Sequence, residues 1–151
     1  MAMDSKDNKT NHQIVVGVDG SESSKNALRW AARLAPTLGA TIHAVVAWEY
    51  PIVFGLEGGI PDAWKPDETA KEILNNSLDA VFGKARPAGL KGSISQGHPT
   101  FVLLDASKEA EMLIVGSRGL GGFAGLLLGS VSSACAEHAK CPVLVVHGEH
   151  K

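Results

Sequence analysis

At 151 residues, with net charge −2 at pH 7 and pI near 6.3, the chain is most simply one domain without a large basic surface, so no nucleic-acid partner is expected. A composition 44% apolar and 20% charged supports a real core and excludes bulk disorder. No apolar run approaches the roughly 18 residues of a membrane span, so no membrane partner is expected. Two cysteines, Cys135 and Cys141, do not make a disulfide framework, which points to a reduced, cytoplasmic location.

Residues 1–12 are polar and lack the apolar segment of a signal peptide; they read as a flexible N-terminal tail, with 148–151 as a C-terminal tail around a domain at 13–147. The run 13–18, Gln-Ile-Val-Val-Gly-Val, is near-continuously β-branched, as in a strand buried on both faces. Asp19-Gly20-Ser21 ends it and offers a helix N-cap. Leu28, Ala31, Ala32, Ala35 and Leu38 then recur at helical spacing, with Pro36 in the last turn and Gly39 as the stop. A second strand is predicted over 41–48.

Residues 49–66 hold three prolines and three glycines without a period, a long loop whose Phe54, Leu56, Ile60 and Trp64 suit a lid or a partner contact. Asp67 is placed to cap a helix with Ala70, Ile73, Leu74, Ser77, Leu78 and Val81 on its inner face. A turn region spans 83–92, and Ser-Ile-Ser-Gln at 93–96 reads as a short edge strand. Pro99 suits the first turn of a helix carrying Phe101, Leu104 and Lys108. A fourth strand is predicted over 111–115, a helix from Ser130 to about Lys140, and a fifth strand over 142–147. This alternation predicts an α/β fold, a single domain with a parallel sheet and helices on both faces. Ligands in such sheets sit beyond the strands' carboxyl ends, where strand order reverses.

The segment between the fourth strand and the last helix carries six glycines, at 116, 119, 121, 122, 125 and 129. Ordering so many would cost roughly 0.5–1 kcal/mol each relative to alanine. A turn needs one or two. A glycine-rich loop before a helix N-terminus is an anion site, because backbone N–H groups and the helix dipole converge on it. The pattern is not a P-loop, since no Gly-Lys-Ser/Thr follows, and the Gly119, Gly121, Gly125 spacing is a weak dinucleotide fingerprint. Ser130 sits where an N-cap hydroxyl would also face the anion. Arg118 reads as facing either a phosphate or solvent, and Ser132 stays equally open. Asp19 either caps the following helix or meets a ribose hydroxyl or a metal. Val46 is a core side chain whose backbone could pair with an adenine edge. Cys135, His138 and Cys141 lack a fourth ligand and CxxC spacing, so no metal site is expected there. Catalysis is less supported than binding, and no catalytic residue is assigned. The loop lacks a lysine, and carboxylates at strand ends are few, chiefly Asp19 and Glu49.

Gly116, Gly119, Gly129 and Ser130 form the pattern Gly-x-x-Gly, nine residues, Gly-Ser, which resembles the nucleotide-binding signature of the universal stress protein family. Val-Asp-Gly-Ser at 18–21 resembles that family's first loop and Cys-Pro-Val-Leu-Val-Val at 141–146 its last strand. The resemblance covers residues 13–147. It implies a Rossmann-like five-stranded parallel sheet of order 3-2-1-4-5 and a homodimer joined through strand 142–147. It also implies the family's ATP-binding branch. By similarity Asp19 contacts ribose; a metal at Asp19 would come through bound Mg-ATP. The Val46 backbone contacts adenine with Gly17 beside it. Gly116, Gly119, Gly129, Ser130, Val131 and Ser132 surround the phosphates. Gly17 departs from the proline that many ATP binders carry. Cyclic AMP is the alternative ligand. The implied role is a nucleotide-dependent regulatory module in stress response, with slow hydrolysis at most. The rivals are a partner-dependent ATPase and an interaction protein with a vestigial pocket.

Overall fold

The computed structural model describes residues 12–50, 65–118 and 129–148. Nine elements alternate along it: β1 Gln13–Gly17, α1 Glu22–Leu38, β2 Thr41–Trp48, α2 Pro66–Phe82, β3 Lys91–Gln96, α3 Pro99–Ala106, β4 Met112–Gly116, α4 Ser130–His138 and β5 Val143–Val146. The five strands form one parallel sheet of order β3-β2-β1-β4-β5, as expected.

The central strands are apolar on both faces because helices cover both. Ile14, Val16, Ile42, Ala44, Val46 and Ile114 pack against α1 and α2 through Ala27, Leu28, Ala31, Ala70, Leu74 and Leu78. The alternate residues Val15, Val45, Leu113 and Val115 pack with Leu103 of α3 and Cys135 of α4. The period of two along each strand thus divides one apolar run between two cores.

Local chemistry sets the helix ends. Ser21 caps α1, its side chain accepting from the Ser24 amide at 3.2 Å. Gly39, at φ 63°, ends it: the Gly39 amide donates to the Pro36 carbonyl and the Ala40 amide to the Ala35 carbonyl. Pro36 sits within that last turn.

Several boundaries differ from the sequence reading. The cap of α2 is Lys65, without a side-chain bond, because Pro66 takes the first helical position, where its missing N–H costs nothing; Asp67 falls inside the first turn. β3 starts at Lys91, two residues early, since its backbone pairs with β2 from His43↔Lys91 onward without needing apolar side chains. It is an edge strand, as expected. In α3 the inward residue is Leu103, 4% exposed, whereas Phe101 is 72% exposed. The run Phe-Val-Leu-Leu is apolar all round, so spacing did not choose its face. α3 ends at Ala106, short of Lys108, and α4 at His138, short of Lys140. The inner ends of the two expected tails are pinned: the His12 carbonyl accepts from the Thr41 amide at 2.9 Å and the Gly148 carbonyl from Asn26 Nδ2 at 2.9 Å. The expected lid residues Phe54, Leu56, Ile60 and Trp64, and Gly119, lie outside the described residues.

Candidate functional site

Strand order reverses between β1 and β4, and the chain leaves both at the same end of the sheet. Asp19 follows β1 there, Ser117 and Arg118 follow β4, and Gly129 opens α4. This is the crevice where open parallel sheets bind ligands.

The segment flanking Gly116 and Gly129 is closed at its base by hydrogen bonds. The Ser117 amide donates to the Val146 carbonyl at 2.7 Å, and the Gly129 amide to the Ser117 carbonyl at 2.6 Å. The Ser132 hydroxyl reaches the Ser117 carbonyl at 2.9 Å and the Gly129 carbonyl at 3.1 Å. Ser132 is 2% exposed, so its side chain clasps the two ends of the segment from beneath.

The cap of α4 is Gly129 rather than the expected Ser130, which is exposed and is the first helical residue. Glycine suits this position because it brings no Cβ between the backbone and an incoming group. No side chain caps this helix start. The first intrahelical bond runs from the Ser133 amide to the Gly129 carbonyl. The amides of Ser130, Val131 and Ser132 precede it and have no acceptor within the helix. The positive end of the α4 dipole lies with them. Val131 points its side chain to the core shared with Cys135.

Asp19 is partly buried and organised by its own turn. Its Oδ1 accepts from the Ser21 amide at 2.9 Å and from the Ser21 hydroxyl at 2.6 Å. Both bonds share one carboxylate oxygen. The helix cap itself is Ser21, so Asp19 acts one step removed, by holding the cap.

Gly17 and Gly116 are glycines for close packing. A Cβ on Gly17 would lie 2.7 Å from Leu103 Cδ1, and one on Gly116 would lie 2.8 Å from the Ser23 backbone carbon.

Strand geometry orients the backbone at the end of β2, where Val46 lies. The Val45 carbonyl accepts from the Val18 amide on the β1 side at 2.9 Å, and the Trp48 carbonyl accepts from the Gly97 amide, on the β3 side, at 2.8 Å. Peptide groups alternate in direction along a strand. Those of Val46 therefore turn to β3, and those of Ala47 turn to the β1 side, where β1 has ended at Gly17.

Ser21 and Ser23 were not singled out from the sequence as site residues. The signal available was the run Ser21, Ser23, Ser24, which holds more buried hydroxyls than one cap requires. Among the described residues no group of three or more His, Cys, Asp or Glu side chains could hold a metal ion. Cys135 is buried, which pushes its thiol up to about 11, with the neighbouring Cys141 adding to the effect.

A parallel sheet of order 3-2-1-4-5 with helices on both faces and a helix N-terminus at its switch point defines a Rossmann-like fold. The universal stress protein family model matches residues 10–147, and the chain belongs to that family. It is 34% identical over 142 residues to the universal stress protein Rv2623 of Mycobacterium tuberculosis, covering 90% of this chain and 48% of the relative. It is 36% identical over 147 residues to Rv2005c of the same organism, covering 91% and 48%. The chain thus spans about half the length of the curated relatives it matches. Among solved structures, the universal stress protein UspA from Lactobacillus plantarum aligns with a TM-score of 0.71 at 25% identity, covering 89% of this chain and 97% of that one. A universal stress protein in complex with cAMP aligns with a TM-score of 0.66 at 29% identity, covering 92% and 98%.

Proposed function

We propose that the chain binds an adenine nucleotide, ATP with magnesium in the first place, in the crevice between β1 and β4, and acts as a nucleotide-dependent regulatory module in stress response. The observation that carries this reading is the start of α4. Three amides without helix acceptors face a cap residue that has no side chain. In this reading they take the phosphates, with Gly116, Gly119 and Arg118 alongside. Asp19 takes the ribose and the magnesium, and the Ala47 backbone takes the adenine edge beside Gly17. The described side chains at the site are one carboxylate, serines and an arginine, a set that suits holding a nucleotide better than hydrolysing it.

Cyclic AMP is the second reading, supported by the 29% identical relative in complex with cAMP. A homodimer through strand 142–147 and a cytoplasmic location complete the proposal. β5 is the last strand of the sheet, with its outer edge unpaired among the described residues. A groove of about 470 Å³ beside that edge is lined by Trp30, Leu144 and Val145 with Arg29 and Arg33. An apolar edge strand of this kind calls for a partner. No helix among the described residues is long and apolar enough to cross a membrane.

Calorimetric titration of nucleotide-stripped protein with ATP and magnesium, followed by cyclic AMP competition, tests the reading. Micromolar binding, near −8 kcal/mol, is expected for ATP. Displacement by cyclic AMP at lower concentration would favour the second ligand. No heat with either nucleotide would leave the fold as an interaction module.

A further inference from the structure

We propose that Ser23 is a positioning residue for the nucleotide phosphates, fixing where the chain leaves β4 by a hydroxyl bond to Arg118. The proposal rests on the nucleotide reading above.

Ser23 is 6% exposed at the start of α1. It lies where three segments meet. Gly116 packs directly on its hydroxyl oxygen, backbone and Cβ, and a Cβ on Gly148 would lie 3.3 Å from its amide nitrogen. Its hydroxyl donates to the Arg118 carbonyl at 2.6 Å, across 95 residues of chain. A serine hydroxyl has one hydrogen to give. That of Ser21 goes to Asp19 Oδ1 at 2.6 Å and that of Ser23 to Arg118. The two hydroxyl oxygens stand 3.4 Å apart, too far for a strong bond. The first turn of α1 therefore divides its work: Ser21 caps the helix and holds Asp19, while Ser23 holds the backbone at Arg118. The helix does not use the Ser23 hydroxyl, because its cap is already made by Ser21. The hydroxyl oxygen is also the Ser23 atom nearest to a Cβ built on Gly116, so Ser23→Cys, which fills that space with a weaker donor, separates packing from hydrogen bonding. What remains for that hydroxyl is the chain path after Gly116, on the phosphate side of the crevice.

The test compares wild type, Ser23→Ala and Ser23→Cys in titrations with Mg-ATP and with adenosine. Removing one buried hydrogen bond is expected to weaken ATP binding roughly five- to tenfold. Adenosine, which has no phosphates, is expected to bind all three alike. Ser23→Cys keeps the volume and a weaker donor, so its ATP affinity should fall between. In nucleotide-free protein, amide exchange at Ser117 and Gly129 should quicken in Ser23→Ala. Unchanged ATP affinity, or an equal loss for both ligands, would overturn the proposal. A wild type that binds no ATP would instead remove the nucleotide reading and the phosphate role of Ser23 with it. Unchanged exchange would show that the hydroxyl holds nothing in place.

Discussion

Ser23 and Gly116 touch through their backbones: a Cβ added to Gly116 would lie 2.8 Å from both the carbonyl carbon and the Cβ of Ser23. The first glycine of the signature is thereby required by packing of α1 on β4, whatever the ligand. The Ser23 Oγ is closer still, but a rotamer change that moves it leaves the carbonyl carbon and Cβ in the way. Gly116→Ala is expected to destabilise the fold by about 1–3 kcal/mol, the range for overpacking a tight contact. Urea unfolding followed by circular dichroism measures it. An unshifted midpoint would mean that α1 moves away at no cost.

Gly17 and Leu103 form a second such pair, with a softer obstacle. The added Cβ would meet Leu103 Cδ1 at 2.7 Å, the far end of a flexible side chain. Leu103→Ala alone should cost about 2–5 kcal/mol, because Leu103 is buried and leaves a cavity. With the leucine gone, the space claimed by Gly17→Ala is vacant. The double variant should therefore be more stable than the sum of the single effects predicts. Strict additivity would show that the two residues do not compete for one space.

The same pair explains which parts of the fold were legible in the sequence. Strands 13–18, 41–48 and 142–147 could be read because β-branched runs between turn residues have few other solutions. The face of α3 could not, because Phe101, Val102, Leu103 and Leu104 are all apolar. The choice was made by Gly17, 86 positions away, whose missing side chain admits Leu103. The start of β3 was hidden for a related reason: Lys91 and Gly92 carry no strand signal and belong to the sheet through backbone pairing alone. At the site, the glycines and Asp19 stood out by residue type. Ser23 did not, since its role depends on a contact to Arg118 that sequence spacing does not foretell.

His43 gives stability a pH dependence of definite sign. Its half-buried imidazole is held below the ordinary histidine value of 6.5, first by burial and then by the nearby Lys91 charge. Its Nε2 lies 2.8 Å from the Ser93 hydroxyl. A lowered folded value means that the unfolded chain takes up the proton first as pH falls. The stability this group confers is complete above 6.5 and is lost as pH falls through the folded value. His43→Gln retains a polar partner for Ser93 and does not titrate. Its urea midpoint should decline less than that of wild type between about pH 7 and pH 5. Parallel declines would assign the acid sensitivity to other groups.

Asp19 separates turn and ligand roles by substitution. Its Oδ1 holds the Ser21 amide and hydroxyl, a task that an asparagine oxygen also performs. Asp19→Asn should keep the unfolding midpoint close to wild type and weaken magnesium-dependent ATP binding, because the charge is gone. Asp19→Ala should lose about 1 kcal/mol of stability besides. Equal ATP affinity of Asp19→Asn and wild type, with magnesium present, would reduce Asp19 to a turn residue.

The outer edge of β5 sorts its peptide groups by residue parity, and that makes the proposed dimer testable through the backbone. The Pro142 carbonyl accepts from the Leu113 amide at 2.9 Å and the Val146 carbonyl from the Ser117 amide at 2.7 Å. Even-numbered residues therefore bond inward to β4, and the peptide groups of Val143 and Val145 face outward. Proline is tolerated in edge strands where its missing N–H would have faced away from the sheet. Val145→Pro should leave a folded protein that sediments as a monomer. Leu144→Pro removes an inward N–H and should instead lower the thermal midpoint markedly. If Val145→Pro remains a dimer in sedimentation equilibrium, the subunits do not pair through β5. The partner of that edge must then be sought among other chains, with Arg29 and Arg33 beside it, neither in an ion pair among the described residues, favouring an acidic one.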